Sequence, residues 1–461
     1  MINRGEIEKR FDPFYYIPEI VELEQRVRKI SKKRLKDFII SMASGSTPSV
    51  TEEEKFYSDA ENGVPFIRVQ NLSSTNELMI NDLKYINQET HQKYLNRSQI
   101  KEGNLLIKIT GVGRMAVSSV VPKEFEGNIN QHLVVIKTKD NFTSEVLATF
   151  LNTDIAERLA SKRATGGTRP ALDYAALKSM PIVFKPEIVE IVKQVITVKN
   201  QKEAEAAALL ASIDGYLLQE LGITLPPPSE KKNYFLTHFS KVSSTRLDPF
   251  YHLTEFDVFN SSLKKSNFNL EEINNICFDV RGVTYSNSDE TTEGKKILRA
   301  NNIDLQTNEL NLSDIRYIRE DFKISDNQLL RKNDIFMCAA SGSKSHSGKV
   351  AFIEEDTDFY FGGFMMVLRS NENVLPKYLF EILASSIFRK FLTKILGGTN
   401  INNLNFSMFR NYKIPLPPPE KQTEIANHIS ALRTQAKQLQ QQAAAELAHA
   451  KQHVEQLILG E

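Results

Sequence analysis

The stretch IPLPPPEKQ (residues 414–422), followed by TEIANHISALRTQAKQLQQQAAAELAHAKQHVEQLILG (residues 423–460), decides the fold. Its three prolines end a strand-like IPL and Glu420 stands just inside the next turn, which is an entry signal for a helix because proline fits the first turn and a carboxylate complements the dipole there. No proline or internal glycine then interrupts the chain for about forty residues, until Gly460. Apolar or small residues fall at Ile425, Ile429, Leu432, Ala436, Leu439, Ala443, Leu447, Ala450, Val454 and Leu457. This is a heptad seam with one four-residue stutter between Ala443 and Leu447, where a left-handed supercoil should straighten. So narrow a seam requires a partner helix.

The search for a partner shows that the chain repeats itself. RFDPFYY (Arg10 to Tyr16) returns as RLDPFYH (Arg246 to His252), and VPFIRVQNLS, with Arg68 and Asn71, returns as KKILRANNID, with Arg299 and Asn302. GNLLIKITGVGRMAV corresponds to NDIFMCAASGSKSHSGKVAF, and the Gly166-Gly167-Thr168 turn corresponds to Gly397-Gly398-Thr399. The offsets are about 230 to 237 positions, too long for a solenoid repeat and suited to one domain plus one long helix. The partner begins after Lys185-Pro186-Glu187 and closes at Gly222, with a seam of Ile188, Ile191, Val195, Val198, Lys202, Ala206, Leu209, Ile213, Leu217 and Leu221.

At 1.5 Å per residue the two helices reach roughly 54 and 60 Å. The expected organisation is a globular unit over 1–186, a long helix over 187–222, a proline-rich linker over 223–245, a second globular unit over 246–413 and a second long helix over 414–461. The helices should form an antiparallel coiled coil in a pseudo-twofold molecule. Within each globular unit, short β-branched runs such as VPFIRVQNL, NLLIKIT, MAVSSVVP and HLVVIKT alternate with helical spacing over SEVLATFLNTDIAERLASKRA, which gives an α+β class of two duplicated mixed α/β domains.

Composition sets outer bounds. A chain of 461 residues with 41% hydrophobic and 25% charged residues is ordinary globular material. Two cysteines, Cys277 and Cys338, give no disulfide framework and suit a reducing cytoplasm. The N-terminal residues carry no signal-peptide core, and no run approaches the ~18 apolar residues of a membrane span. A net charge of +1 excludes a polycation, so any nucleic-acid contact must come from a local surface.

Catalytic constellations are absent from the sequence. Gly342 to Val350 has one residue too many between its glycines for a phosphate loop, and Val350 stands where Ser or Thr would hold magnesium. Gly111-Val-Gly113 lacks a third glycine and a following helix, so it reads as a turn between strands. The eight histidines include no HExxH zinc motif.

What remains is a set of polar, basic and amide-rich loops, present twice. In the first unit these hold Gly45 to Ser49, Arg68, Gln70, Asn71, Arg114, Asn130, Gln131, His132, Lys162, Arg163, Thr168 and Arg169. In the second they hold Arg281, Tyr285, Arg299, Asn301, Asn302, Ser343, Lys344, His346, Lys349, Thr399, Asn400 and Asn402. Arg, Asn and Gln can bond purine edges in pairs, while Lys, Ser, Thr and backbone amides suit phosphates. Two such surfaces on one chain would suit two half-sites in a duplex.

With the RFDPFYY and RLDPFYH openings, the GSTPS and IRVQN segments, the GGT turn and IPLPPPEKQ ahead of a long helix, the chain resembles the specificity subunits of type I restriction-modification systems. The resemblance spans nearly the whole sequence; the first helix entry departs from it, with MPIVFKPE in place of IPLPPPE. It implies two target-recognition domains that read a bipartite, asymmetric sequence in double-stranded DNA, with the long helices as spacer and ruler. It implies a subunit without catalytic activity or cofactor of its own. Its partners would be two methyltransferase subunits, which use S-adenosylmethionine, and restriction (helicase-nuclease) subunits, which use ATP and Mg, with no membrane involved. Two other readings fit the same residues: a specificity subunit of another methyltransferase-linked restriction system, and a coiled-coil adaptor whose domains bind proteins.

Overall fold

A computed structural model describes residues 13–225, 247–305, 307–341, 346–396 and 403–461, with a few isolated positions between 226 and 246. Most of the expected proline-rich linker lies outside them, as do Arg10, Arg246, Ser343, Lys344, Thr399, Asn400 and Asn402. The chain forms two compact units, one of residues through Glu203 together with Gln440–Glu461, the other Ala204–Leu439. Each carries sheets and helices of the α+β kind.

The first unit holds a four-stranded antiparallel sheet in the order Ser41–Ser44, Leu133–Lys137, Leu105–Lys108, Ser118–Val120. A five-stranded sheet runs Tyr57–Ser58, Lys84–Ile86, Val64–Ile67, Gly127–Ile129, Gln99–Ile100, with one parallel pair at its centre, Phe66 opposite Asn128. The second unit repeats both. Its first sheet runs Cys277–Arg281, Met365–Ser370, Ile335–Cys338, Val350–Phe352. Its second runs Glu290–Thr291, Arg316–Ile318, Lys295–Leu298, Phe359–Phe361, again with a parallel pair, Ile297 opposite Tyr360.

Strands such as LLIK and IFMC are buried on both faces, which is why they read as continuous apolar runs rather than alternating ones. The single helical run expected after Ser144 is two helices, Asn141–Leu151 and Asp154–Arg163. The break has a cause. Asn152 turns its amide to the Ser118 carbonyl at 2.7 Å, and Thr153 caps the second helix by accepting from the Ala156 N–H.

Both long helices form, Glu187–Leu221 and Pro419–Leu459. In the first unit their segments run antiparallel: Lys185 Nζ donates to the Leu457 carbonyl, and Lys202 Nζ meets Gln442 Oε1 at 2.9 Å and Glu446 Oε1 at 2.8 Å. Lys202, an expected seam position, thus closes the seam with an ion pair. In the second unit Lys421 lies 2.6 Å from Glu220, and the Tyr216 and His428 rings are 4.0 Å apart.

Near its start the first helix buries residues beyond its expected seam. Ile188, Val192 and Ile196 are buried in the core of the first unit, while Ile191, Val195 and Val198 line an open cleft of about 570 Å³ opposite Ala445, Glu446, His449, Ala450 and His453. The segment thus has two apolar faces, one on the globular core and one toward the second long helix. The seam alone does not contain this competition, because both faces of that segment are apolar.

Candidate nucleic-acid interface

The site is built on the short turn that ends a strand of the parallel pair in each unit, Val64–Ile67 and Lys295–Leu298. After Ile67 the chain enters the turn Val69–Asn71, and Asn71 is buried with its side chain wholly occupied by main chain. Its Oδ1 accepts from the Arg68 N–H at 2.9 Å, and its Nδ2 donates to the Met79 and Asp82 carbonyls, both at 3.1 Å. Asn302 does the same in the second unit, accepting from the Arg299 N–H at 2.8 Å and donating to the Asn311 and Asp314 carbonyls at 2.8 and 3.0 Å. Both asparagines are clamps on loop shape, and burial removes them from the expected reading surface.

On the outer side of each clamp sits an aspartate that the expected residues surround. Gln70 Nε2 donates to Asp82 Oδ2 at 2.8 Å and Arg68 Nη2 lies 3.5 Å from the same oxygen. In the second unit Asn301 Nδ2 and Arg299 Nη2 donate to Asp314 Oδ2 at 2.7 and 2.9 Å. Neither aspartate is among the residues expected from sequence, although a signal exists: Asp82-Leu-Lys-Tyr-Ile86 and Asp314-Ile-Arg-Tyr-Ile318 are a further repeated motif.

Main-chain bonds join the other loops of the first unit to this turn. Asn130 N–H donates to the Ile67 carbonyl, Ile109 N–H to the His132 carbonyl, and Leu172 N–H to the Ile109 carbonyl. Thr110 bridges Ala171 at the base of the turn that carries Thr168 and Arg169, both exposed. Exposed Gln131 accepts from the Thr47 hydroxyl, which ties in the Gly45 loop. That loop needs its glycine, since a Cβ at Gly45 would lie 2.0 Å from the Ile129 carbonyl oxygen. These bonds connect the segments that carry Arg68, Gln70, Gln131, His132, Thr168 and Arg169 into one edge of main chain.

The second unit reproduces the scaffold with different side chains. Gly362 N–H donates to the Leu298 carbonyl, Ala339 N–H to the Phe364 carbonyl, and Leu404 N–H to the Ala339 carbonyl. Phe364, 74% exposed, takes the place that His132 holds in the first unit. A search for polar donors in the sequence passes over it. Arg281 donates to the Leu404 carbonyl at 3.0 Å, and His346 is exposed near the hairpin tip.

Several expected contacts are withdrawn by burial or pairing. Lys162 and Arg163 are buried around Glu24, with Lys162 Nζ 2.7 Å from Glu24 Oε2 and Arg163 Nη2 on Glu24 Oε1. Burial alone would raise the Glu24 carboxyl, but Arg163, then Lys162 and Arg28, outweigh it and hold the group at about 2. Lys349 is buried and donates to the Ile303 carbonyl at 2.9 Å; desolvation pushes its ammonium down. Arg114 spends both its Nη groups, one on Asp154 Oδ1 at 2.5 Å and one on the Asn152 carbonyl at 2.7 Å, so it anchors the hairpin loop to a helix start. Among the described residues no group of three or more His, Cys, Asp or Glu could hold a metal ion, and no helix is long and apolar enough to cross a membrane.

Comparison with known proteins follows the duplication of the chain. The family model for the type I restriction modification DNA specificity domain matches residues 28–210 and again 263–449. The chain belongs to that family. The specificity subunit of the type I restriction enzyme EcoKI from Escherichia coli (strain K12) is 30% identical over 160 residues, which are 34% of either chain. That of StySPI from Salmonella potsdam gives the same identity and coverage. The chain thus spans about a third of the length of these curated relatives in the match. A solved chain from a study of complex assembly and conformational transition of the type I R-M system covers 93% of this chain and 96% of its own length, at 16% identity and a TM-score of 0.47.

Proposed function

We propose that this specificity-family chain is the DNA-reading subunit of a type I restriction-modification complex, with each unit reading one half of a bipartite, asymmetric target. The observation that carries the reading is the duplicated edge: one main-chain scaffold in each unit, presenting Gln131 and His132 in the first and Gly363 and Phe364 in the second. Equal scaffolds with unequal side chains suit two different half-sites. Gln131, Thr168 and Arg169 supply donors and acceptors suited to base edges or phosphates, and Phe364 supplies an apolar face suited to a thymine methyl group.

The chain carries no catalytic step in this reading. It recruits two methyltransferase subunits, which bring S-adenosylmethionine, and through them restriction subunits that bring ATP and Mg. The two long helices, which carry the chain from the first unit into the second and back, set the unread gap between the half-sites. Methylation mapping in cells that express the chain with its methyltransferase tests the proposal. Modified adenines should fall in two short, different half-sites around a gap, and a single contiguous motif overturns it.

A further inference from the structure

The two edges carry different side chains at many positions, as at His132 and Phe364, but one exposed cluster recurs. An arginine, an amide two residues on and an aspartate 14 or 15 residues after the arginine recur as Arg68, Gln70, Asp82 and as Arg299, Asn301, Asp314. In the second copy the arginine and the amide both donate to one carboxylate oxygen, Asp314 Oδ2; in the first Gln70 donates to Asp82 Oδ2 at 2.8 Å, while Arg68 Nη2 donates to the Asp82 carbonyl at 3.3 Å and lies 3.5 Å from Oδ2. The Nε of each arginine is buried without an acceptor, and in both copies it is Nη2 that meets the aspartate. The aspartates are the exposed members, at 81% and 56% of their side chains.

Holding the loop does not account for these aspartates. Asn71 and Asn302 already tie each loop through main-chain bonds, and an exposed ion pair adds only ~0–1 kcal/mol. Reading bases does not account for them either, because surfaces that read different half-sites should differ where they read. What is common to both units should meet what is common to every duplex, which is the phosphate backbone. An arginine Nη and an amide N–H aimed at one anionic oxygen form a geometry that a phosphate oxygen also satisfies.

Building on the DNA-reading proposal, we propose that each cluster is a phosphodiester site whose aspartate occupies the phosphate's place in the free chain. Arg68 with Gln70, and Arg299 with Asn301, are the donors; Asp82 and Asp314 are internal competitors. DNA must displace each carboxylate and bear its repulsion, so both aspartates weaken binding to every sequence alike. Their effect is to limit retention on non-target DNA.

The test uses the full chain assembled with its methyltransferase subunits, the duplex found by methylation mapping and a scrambled duplex of equal length. Asp82→Asn and Asp314→Asn keep the shape and remove the charge. Each should tighten both duplexes by the same factor, about threefold to tenfold at low salt and less at high salt, with the methylated motif unchanged. Arg68→Gln should weaken both duplexes equally and lower the slope of log K against log salt by about one. The proposal is overturned if Asp82→Asn leaves affinity unchanged or weakens it, and equally if it alters the motif, which would make the aspartate a base reader. If the unmodified complex neither binds duplexes in a salt-dependent way nor methylates a bipartite motif, the parent reading fails as well; a normal parent complex with an Asp82→Asn variant that does not tighten sinks the competitor alone.

Discussion

Arg433 on the second long helix holds the buried carboxylate of Glu381, with Nη2 2.8 Å from Oε2, while its Nη1 donates to the Thr307 carbonyl at 2.9 Å. One guanidinium thus pins both a core helix and the loop that leads to Asp314. Arg433→Met should leave Glu381 buried without a partner and cost the second unit about 3 to 5 kcal/mol. Urea unfolding followed by hydrogen exchange in residues 303–314 checks this, and Glu381→Gln in the same background should restore part of the loss.

Glu24 gives a pH dependence with a definite sign. Its folded carboxyl titrates at about 2 and the unfolded one near 4.3. Between those values the unfolded chain binds more protons, so stability falls as pH drops, and it is fully present above about pH 5. The contribution is about 2 to 3 kcal/mol. Unfolding free energies measured from pH 6 to pH 2 should show this slope, and Glu24→Gln should flatten it while destabilising the first unit, because Lys162 and Arg163 lose their counter-charge.

Gly45 and Gly282 should be equally intolerant. A Cβ would come within 2.0 Å of the Ile129 carbonyl oxygen at the first and 2.1 Å of the Gly362 carbonyl oxygen at the second. Alanine at either position should cost about 2 to 4 kcal/mol. Limited proteolysis should show each variant loosening only its own unit.

His132 and Phe364 occupy equivalent places, so their replacement should separate the half-sites. His132→Ala should relax selection in one half of the methylated motif and Phe364→Ala in the other, each by about 1 to 3 kcal/mol of discrimination at a single position. Methylation mapping of both variants reads this out; a change in both halves from either variant would contradict the assignment.

Much of the architecture is legible from repeats and periodicity, because long helices and buried strands leave regular marks. The sheet run LLIK and both long helices fall where their patterns indicate. The site is legible only as a set of loops. Arg68, Gln70, Arg299 and Asn301 stand on the edge, whereas Lys162, Arg163 and Lys349 are drawn inside by partners remote in sequence, Glu24 being 138 residues from Lys162. No local pattern announces such a pair. Asp82 and Asp314 are marked in the sequence by the repeated Asp-x-x-Tyr-Ile, but an acid has the wrong charge for a phosphate contact and no residue type singles it out. Phe364 escapes for the complementary reason, as an apolar residue on an edge sought through polarity.

The asparagine clamps carry a last consequence, for how such a chain can change. Asn71 and Asn302 grip only main-chain atoms, and the loop from the clamp to its aspartate is 11 residues in one unit and 12 in the other. The exposed side chains along that loop can be rewritten, and even a residue inserted, while the clamp and the buried Leu72, Leu78 and Ile303 stay as they are. The fold separates the grammar of recognition from its vocabulary, so new specificities can arise by substitution on the edge while the core beneath stays the same.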